Sequence, residues 1–316
     1  MSLKTNSKAL AGDLAVPGST ANLGGGFDTL GVALQIYLRA RIVDVSDDAG
    51  AKLTVVSSTP PVTGRNAVER AFEAIAQRTG RRTPSVLAEI VSDIPMAAGL
   101  GSSAAATVAG LRIFERVTGP VPDGLLLEVA ASLEGHADNA APALHGGMTS
   151  VVDVEDGAPQ VLRWHWPDEL RVIVATPSTG LATAKARAAL SDVISRKDAI
   201  FNLQRVLSLV HALQNGEYDR LREAVRDKWH QPARAALVPQ LGAVLALDDR
   251  EILGAFLSGA GPSVALLARR DVPRLEQLVK SVYEQAGCPV TVRTLGVHQS
   301  TEVAADALAA AHGRTV

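Results

Sequence analysis

Two stretches of the 316-residue sequence gather the residue types needed for phosphate and metal chemistry. The first is Pro95-Met96-Ala97-Ala98-Gly99-Leu100-Gly101-Ser102-Ser103-Ala104-Ala105. Glycine lets a backbone approach a ligand closely and reach φ values closed to other residues. A glycine-rich turn that opens a helix aims several N–H groups at one point. The helix dipole adds partial positive charge there, so phosphate binds well. Ser102 and Ser103 supply hydroxyls for phosphate or for Mg2+, a hard cation that prefers oxygen. No Gly-Lys-Ser/Thr follows, so this is not a Walker A loop. A capped, close-packed helix start would use the same residue types. The second stretch, Glu134-Gly135-His136-Ala137-Asp138-Asn139, packs carboxylates, an imidazole and an amide into six residues. Glu134 could hold Mg2+ through one carboxylate. A polar turn is the competing reading, because Asp and Asn favour turns unaided.

Two further segments are built for unusual backbone. The stretch from Gly18 to Asp28 carries Asn22 and Asp28 among glycines. Ser258-Gly259-Ala260-Gly261-Pro262-Ser263 is a tight turn, and Gly and Pro supply turn geometry without any ligand.

The elements that must position these groups read as follows. Strands are expected over 13–17, 32–45, 52–58, 86–92, 148–153, 171–175, 255–257, 264–268 and 290–295, with a loop over 17–31. Helices are expected over 66–80, from about 102 to 117, and over 125–133, 183–214, 218–227, 240–247 and 274–286. The tract 153–168, with Gly157, Pro159 and Pro167, is the best lobe boundary. Strands come in pairs rather than in regular βαβ units, which suggests an α+β layer architecture.

Composition narrows the function classes. Apolar residues make up 47% of the chain, enough for a full core, while aromatics are only 3%. The formal net charge of −2 gives no electrostatic footprint for nucleic acid or an anionic membrane. No Cys/His cluster has zinc-site spacing. Cys288 is the single cysteine, so no intrachain disulfide can form, which fits a reducing compartment. Residues Met1 to Leu10 lack the apolar run of a secretion signal, and no run of about 18 apolar residues marks a membrane span. A cytoplasmic protein is expected.

The order of the motifs is more specific than any one of them. The segment around Gly18–Asp28, the Pro95–Ala105 loop and the Ser258–Ser263 turn resemble, in succession, the three motifs of the GHMP kinases. Ala21–Asp28, Glu134–Gly147, Thr183–Arg187 and Asp227–Arg234 resemble the homoserine kinase family within that superfamily. The resemblance runs from about Leu14 to at least Ser263. It implies a two-lobed α+β fold: a ribosomal-S5-like, ATP-binding N-terminal domain (1–165) and a ferredoxin-like C-terminal domain (166–316).

It also implies phosphorylation of homoserine by ATP with Mg2+, and these site residues. Asn66 would contact adenine, though Asn is also a good helix cap. The Pro95–Ala105 loop would hold the phosphates, with Ser102 and Glu134 on the metal. Arg187 and Arg234 would grip the substrate carboxylate, since guanidinium does so bidentately. Asp28, with Asn22, His136 and Thr183 nearby, would face the rest of the substrate, and Gly259 and Gly261 would shape the last turn. Asn139 stands where many GHMP kinases have an Asp base, and an amide cannot act as one. The chain departs from the family in Gly25, usually Pro, in Gly18-Ser19-Thr20, commonly Ala-Thr-Ser, and in Ala182 and Ala184 beside Thr183, where the family usually has Ser and Lys. A different GHMP substrate, or a non-catalytic nucleotide-binding regulator, are the alternatives. A homodimer is allowed by this reading and not required.

Overall fold

The first sheet is organised on β2 (Leu30–Ser46), a 17-residue strand in the computed structural model of the chain. The structure describes residues 13–47, 52–62, 64, 66–155 and 157–299. The reading of the N-terminus and the outer ends of both expected domains therefore lie outside the described residues. In sheet order β3 (Leu53–Thr59), β4 (Ser85–Ser92), β2, β5 (Met148–Val152) and β6 (Gln160–Trp164) are neighbours, and β1 (Asp13–Ala21) also pairs with β2. Only β3 and β4 run parallel in this sheet. They are joined by α1 (Ala67–Thr79), the crossover that parallel neighbours require.

One expectation needs correction here. Residues 18–21 were expected to be loop, but they continue β1 after a register shift at Pro17/Gly18. The β2 ladder satisfies their backbone groups, and that tertiary pairing overrides the local glycine signal. The tract 153–168, the expected lobe boundary, contains β6, which pairs with β5 in antiparallel register, and the second sheet begins after it at Arg171.

The other helices are α2 (Ser102–Thr118), α3 (Asp123–Glu134), α4 (Ala140–His145), α5 (Thr183–Ala188), α6 (Arg196–Asn215), α7 (Leu221–Ala224), α8 (His230–Arg234), α9 (Leu241–Leu245) and α10 (Val272–Gln285). Asn66 caps α1 in a reciprocal box with Glu69, and Gly80 closes it in the left-handed region. Alanines on α2 let α1 and α2 pack closely; a Cβ at Gly110 would sit 2.1 Å from Val68 O. The helix expected over 183–214 is broken between α5 and α6. Ser191 Oγ accepts from Val193 N, and Ser195 caps α6 by accepting from Asp198 N, so side chains offer the backbone an alternative to helix.

The second sheet is antiparallel, in order β10 (Val290–Leu295), β7 (Arg171–Pro177), β9 (Val264–Ala268) and β8 (Ile252–Leu257). Alternation on β7 and β9 splits the apolar residues between two cores. Val172, Val174, Ala265 and Leu267 join the core of the first sheet. Ile173, Leu266, Ala268, Leu275, Val279 and Tyr283 form a second core with α10. The first core thus spans both halves, and the second lies within the C-terminal half.

Candidate active site

The loop before α2 is left-handed at Ala97, Gly99 and Gly101. Gly101 occupies the position before α2, and no side chain caps the helix. The first N–H groups of α2 therefore open onto a cavity of about 190 Å3. Ala98 to Ala104, Glu134, His136, Asn139, Thr183 and Gly259 are among its lining residues. A second cavity of about 270 Å3 adjoins it through Ala97, Ser102 and Ser103. Its walls include Leu38, Val62, Val68, Ile90 and Met96, with Asn66 at one side. An apolar slot leading to an open helix N-terminus fits a purine followed by a phosphate chain.

The Ser258–Ser263 turn holds this loop in place. Ser258 Oγ donates to Gly99 O at 2.7 Å and pairs with Thr20 Oγ1 at 2.8 Å. Ser263 N donates to Ala98 O, and Gly259 N to Ala21 O. A Cβ at Gly99 would lie 2.2 Å from Ser258 O, so the contact is backbone on backbone.

Glu134 ends α3 beside the start of α2. Its Oε1 accepts from Thr107 Oγ1 at 2.7 Å and from Ser103 Oγ at 3.0 Å, and among the described residues Oε2 has no hydrogen-bond partner. One free carboxylate oxygen next to serine hydroxyls fits Mg2+, which commonly takes one or two carboxylates and completes its shell with phosphates and water. Among the described residues no cluster of three or more His, Cys, Asp or Glu could enclose a metal.

Asn139 lies between two buried groups. Ser19 Oγ donates to its Oδ1 at 2.9 Å, and its Nδ2 donates to Asp138 Oδ1 at 3.3 Å. Asp138 Oδ1 also pairs with His136 Nδ1 at 2.5 Å. That hydrogen bond raises the His136 pKa above its ordinary value, against the opposing effect of burial.

The two arginines meet around Phe27. Arg187 binds Asp28 bidentately, at 2.7 and 2.9 Å, which raises its pKa further. Arg234 is 1% exposed. Its Nε donates to Ala186 O, and its Nη1 donates to Gly259 O and His230 Nδ1. His230 is then protonated at Nε2, which donates to Gly24 O at 2.9 Å. Among the described residues no carboxylate lies within ion-pair distance of Arg234. Burial first, then the Arg187 charge, pull its pKa below the usual value. Both guanidiniums lie over the Phe27 ring, at 5.8 and 5.3 Å.

Most expected site residues therefore converge. Gly99 to Ala104, Glu134, His136, Asn139 and Thr183 share the cavity, and Gly259 links it to Arg234. Others stand apart. Pro95 and Ala105 line neither cavity, and Ala105 is buried in the core. Asn66 accepts from Val68 N through Oδ1, so its carbonyl end caps α1 while its side chain borders the apolar slot. Asn22 donates to Gly259 O and accepts from Asp28 N, bracing the loop that carries Asp28. Gly261 lines neither cavity; it is left-handed at φ 85°, and its backbone N and O lie 2.9 Å from where a Cβ on Gly99 would sit. Sequence reasoning passed over Ser19, Phe27, Thr107 and His230. Thr107 and His230 had a signal, one helical turn from Ser103 and Arg234. Ser19 had none.

The chain is similar to known kinases over most of its length. Residues 66–147 match the GHMP kinase N-terminal domain, and 209–288 match the GHMP kinase C-terminal domain. A homoserine kinase of Solibacter usitatus is 36% identical over 278 residues, covering 87% of this chain and 90% of its own. One of Deinococcus radiodurans is 40% identical over 250 residues, covering 78% and 81%. The crystal structure of homoserine kinase from Cytophaga hutchinsonii superposes with a TM-score of 0.83 at 26% identity, covering 95% of this chain and 99% of its own.

Proposed function

The chain belongs to the homoserine kinase family of the GHMP kinases, and from that premise we propose that it transfers the terminal phosphoryl group of ATP to the hydroxyl of L-homoserine. The product would be O-phospho-L-homoserine, on the route to threonine. The observation that carries the substrate is Arg234, a buried guanidinium without a carboxylate partner among the described residues, beside the Asp28–Arg187 pair. A buried cation calls for an anion. The carboxylate of an amino acid supplies one, and its ammonium suits Asp28.

Adenine enters the apolar slot beside Asn66 and Met96. The phosphates meet the open N–H groups of α2, and Glu134 with Ser102 would hold Mg2+ there. Bound Mg2+ would neutralise charge on the transferring phosphoryl group. Asn139 cannot take the hydroxyl proton. Asp138 is 2% exposed and engaged with His136 and Asn139, so it too is a poor base. Catalysis then rests on alignment and on fixed N–H dipoles, which a loose phosphoryl-transfer transition state allows. The N-terminal and C-terminal domains would divide near residue 165, between β6 and β7. Among the described residues no helix is long and apolar enough to cross a membrane, and the single cysteine suits the cytoplasm.

The test is coupled ADP release over homoserine, threonine, serine and mevalonate. Preference for homoserine is expected. Equal or better turnover of mevalonate would overturn the substrate, and no turnover of any alcohol would overturn the kinase.

A further inference from the structure

Asn139 borders the cavity where the phosphoryl group must move, yet an amide has two faces and only one offers a donor. Its orientation is set from behind. Asp138 Oδ1 can only accept, so the amide end facing it must be Nδ2. That leaves Oδ1 on the opposite side, 2.9 Å from Ser19 Oγ, and the Ser19 hydroxyl donates to it. The reversed amide would set its carbonyl against the Asp138 carboxylate. Ser19 is fully buried and Asn139 nearly so, so water does not compete at either end.

The same hydroxyl lies under the phosphate loop. Ser19 N donates to Leu100 O at 3.0 Å. A Cβ at Gly101 would sit 2.2 Å from Ser19 Oγ and 3.1 Å from Asn139 Oδ1. The glycine before α2 thus leaves room for this hydrogen bond, and the bond fixes Asn139 relative to the helix N-terminus.

We infer that Ser19 is a positioning residue for phosphoryl transfer: its hydroxyl, acting with Asp138, locks the Asn139 amide so that an N–H points into the reaction cavity. Ser19 lines neither cavity and acts through Asn139. This rests on the kinase reading, and concerns kcat rather than binding.

The experiment compares Ser19→Ala and Ser19→Thr with the wild-type chain. Loss of one buried hydrogen bond predicts a kcat about tenfold lower in Ser19→Ala. KM for ATP and for homoserine is expected to stay within about twofold, because Ser19 lines neither cavity. Ser19→Thr keeps the hydroxyl and is expected to recover most of kcat. The Asn139 side-chain amide signals in 15N-resolved NMR, identified by their loss in Asn139→Ala, are expected to move in Ser19→Ala and to return in Ser19→Thr. Wild-type kcat in Ser19→Ala, or unmoved amide signals, would overturn the inference. So would a parallel rise in both KM values with a lower Tm, which is the signature of a collapsed loop. A wild-type chain that turns over no alcohol would instead sink the kinase reading, and the NMR comparison would still decide whether Ser19 holds the amide.

Discussion

At the scale of the residue, charge decides the site. Arg187 and Arg234 are not equivalent, although the sequence treats them alike. Arg187 is part-exposed and already paired with Asp28, whereas Arg234 is buried and braces three segments through carbonyls and His230. Removing a charge-assisted contact costs about 1.5–3 kcal/mol, or roughly ten- to 150-fold in substrate KM. That loss is expected for Arg187→Ala with ATP affinity and Tm little changed. Arg234→Ala is expected to raise the same KM and also lower Tm, because Ala186, Gly259 and His230 lose their shared partner. Steady-state kinetics and thermal melts separate the two, and a wild-type homoserine KM in both variants would end the carboxylate assignment. Glu134→Gln keeps the shape and removes the charge at the proposed metal site. Turnover at limiting Mg2+ is expected to fall more than nucleotide affinity, and unchanged turnover would remove Glu134 from the metal.

At the scale of the element, three backbones meet at the proposed phosphate loop. A Cβ at Gly101 would sit 2.2 Å from Ser19 Oγ and 3.1 Å from Ser19 N. Gly135 provides a control. It too has positive φ, at 80°, but nothing lies within 4 Å of its Cβ position. Gly135→Ala is therefore expected to cost only backbone strain, about 1–2 kcal/mol. Gly99→Ala and Gly101→Ala are expected to lose more stability than that, and ATP affinity as well. Melting temperatures and calorimetric ATP binding across the three variants check this, and equal stability losses would refute the packing argument.

At the scale of the whole molecule, the cleft is set by how the two sheets are tied. After β10 the chain returns to the first sheet, where Val297 bridges Leu34. His298 N donates to Ala33 O, and Gly147 N donates to His298 O. Gln299 then binds both backbone groups of Trp166, accepting from its N at 3.2 Å and donating to its O at 2.6 Å. Trp166 lies in the connector between β6 and β7 and is 1% exposed. Gln299→Ala leaves two backbone groups unpaired in that connector, at a cost of about 1–3 kcal/mol. A lower Tm with unchanged KM values is expected, and a wild-type Tm would show that the clasp contributes nothing.

The sequence alone determined the motif order, the α+β class, most strands, the caps of α1, and the loop and charged residues of the site, because these follow from local periodicity, glycine placement and residue chemistry. Tertiary structure alone decided the rest. Gly18 to Ala21 became strand because β2 offered hydrogen-bond partners, and Gln160 to Trp164 did so because β5 did. Ser19 reached Asn139 across 120 residues, and Asp28 reached Arg187 across 159. Such pairings are set by sheet register and by the packing of two lobes on one core. Neither leaves a mark in the spacing of neighbouring residues.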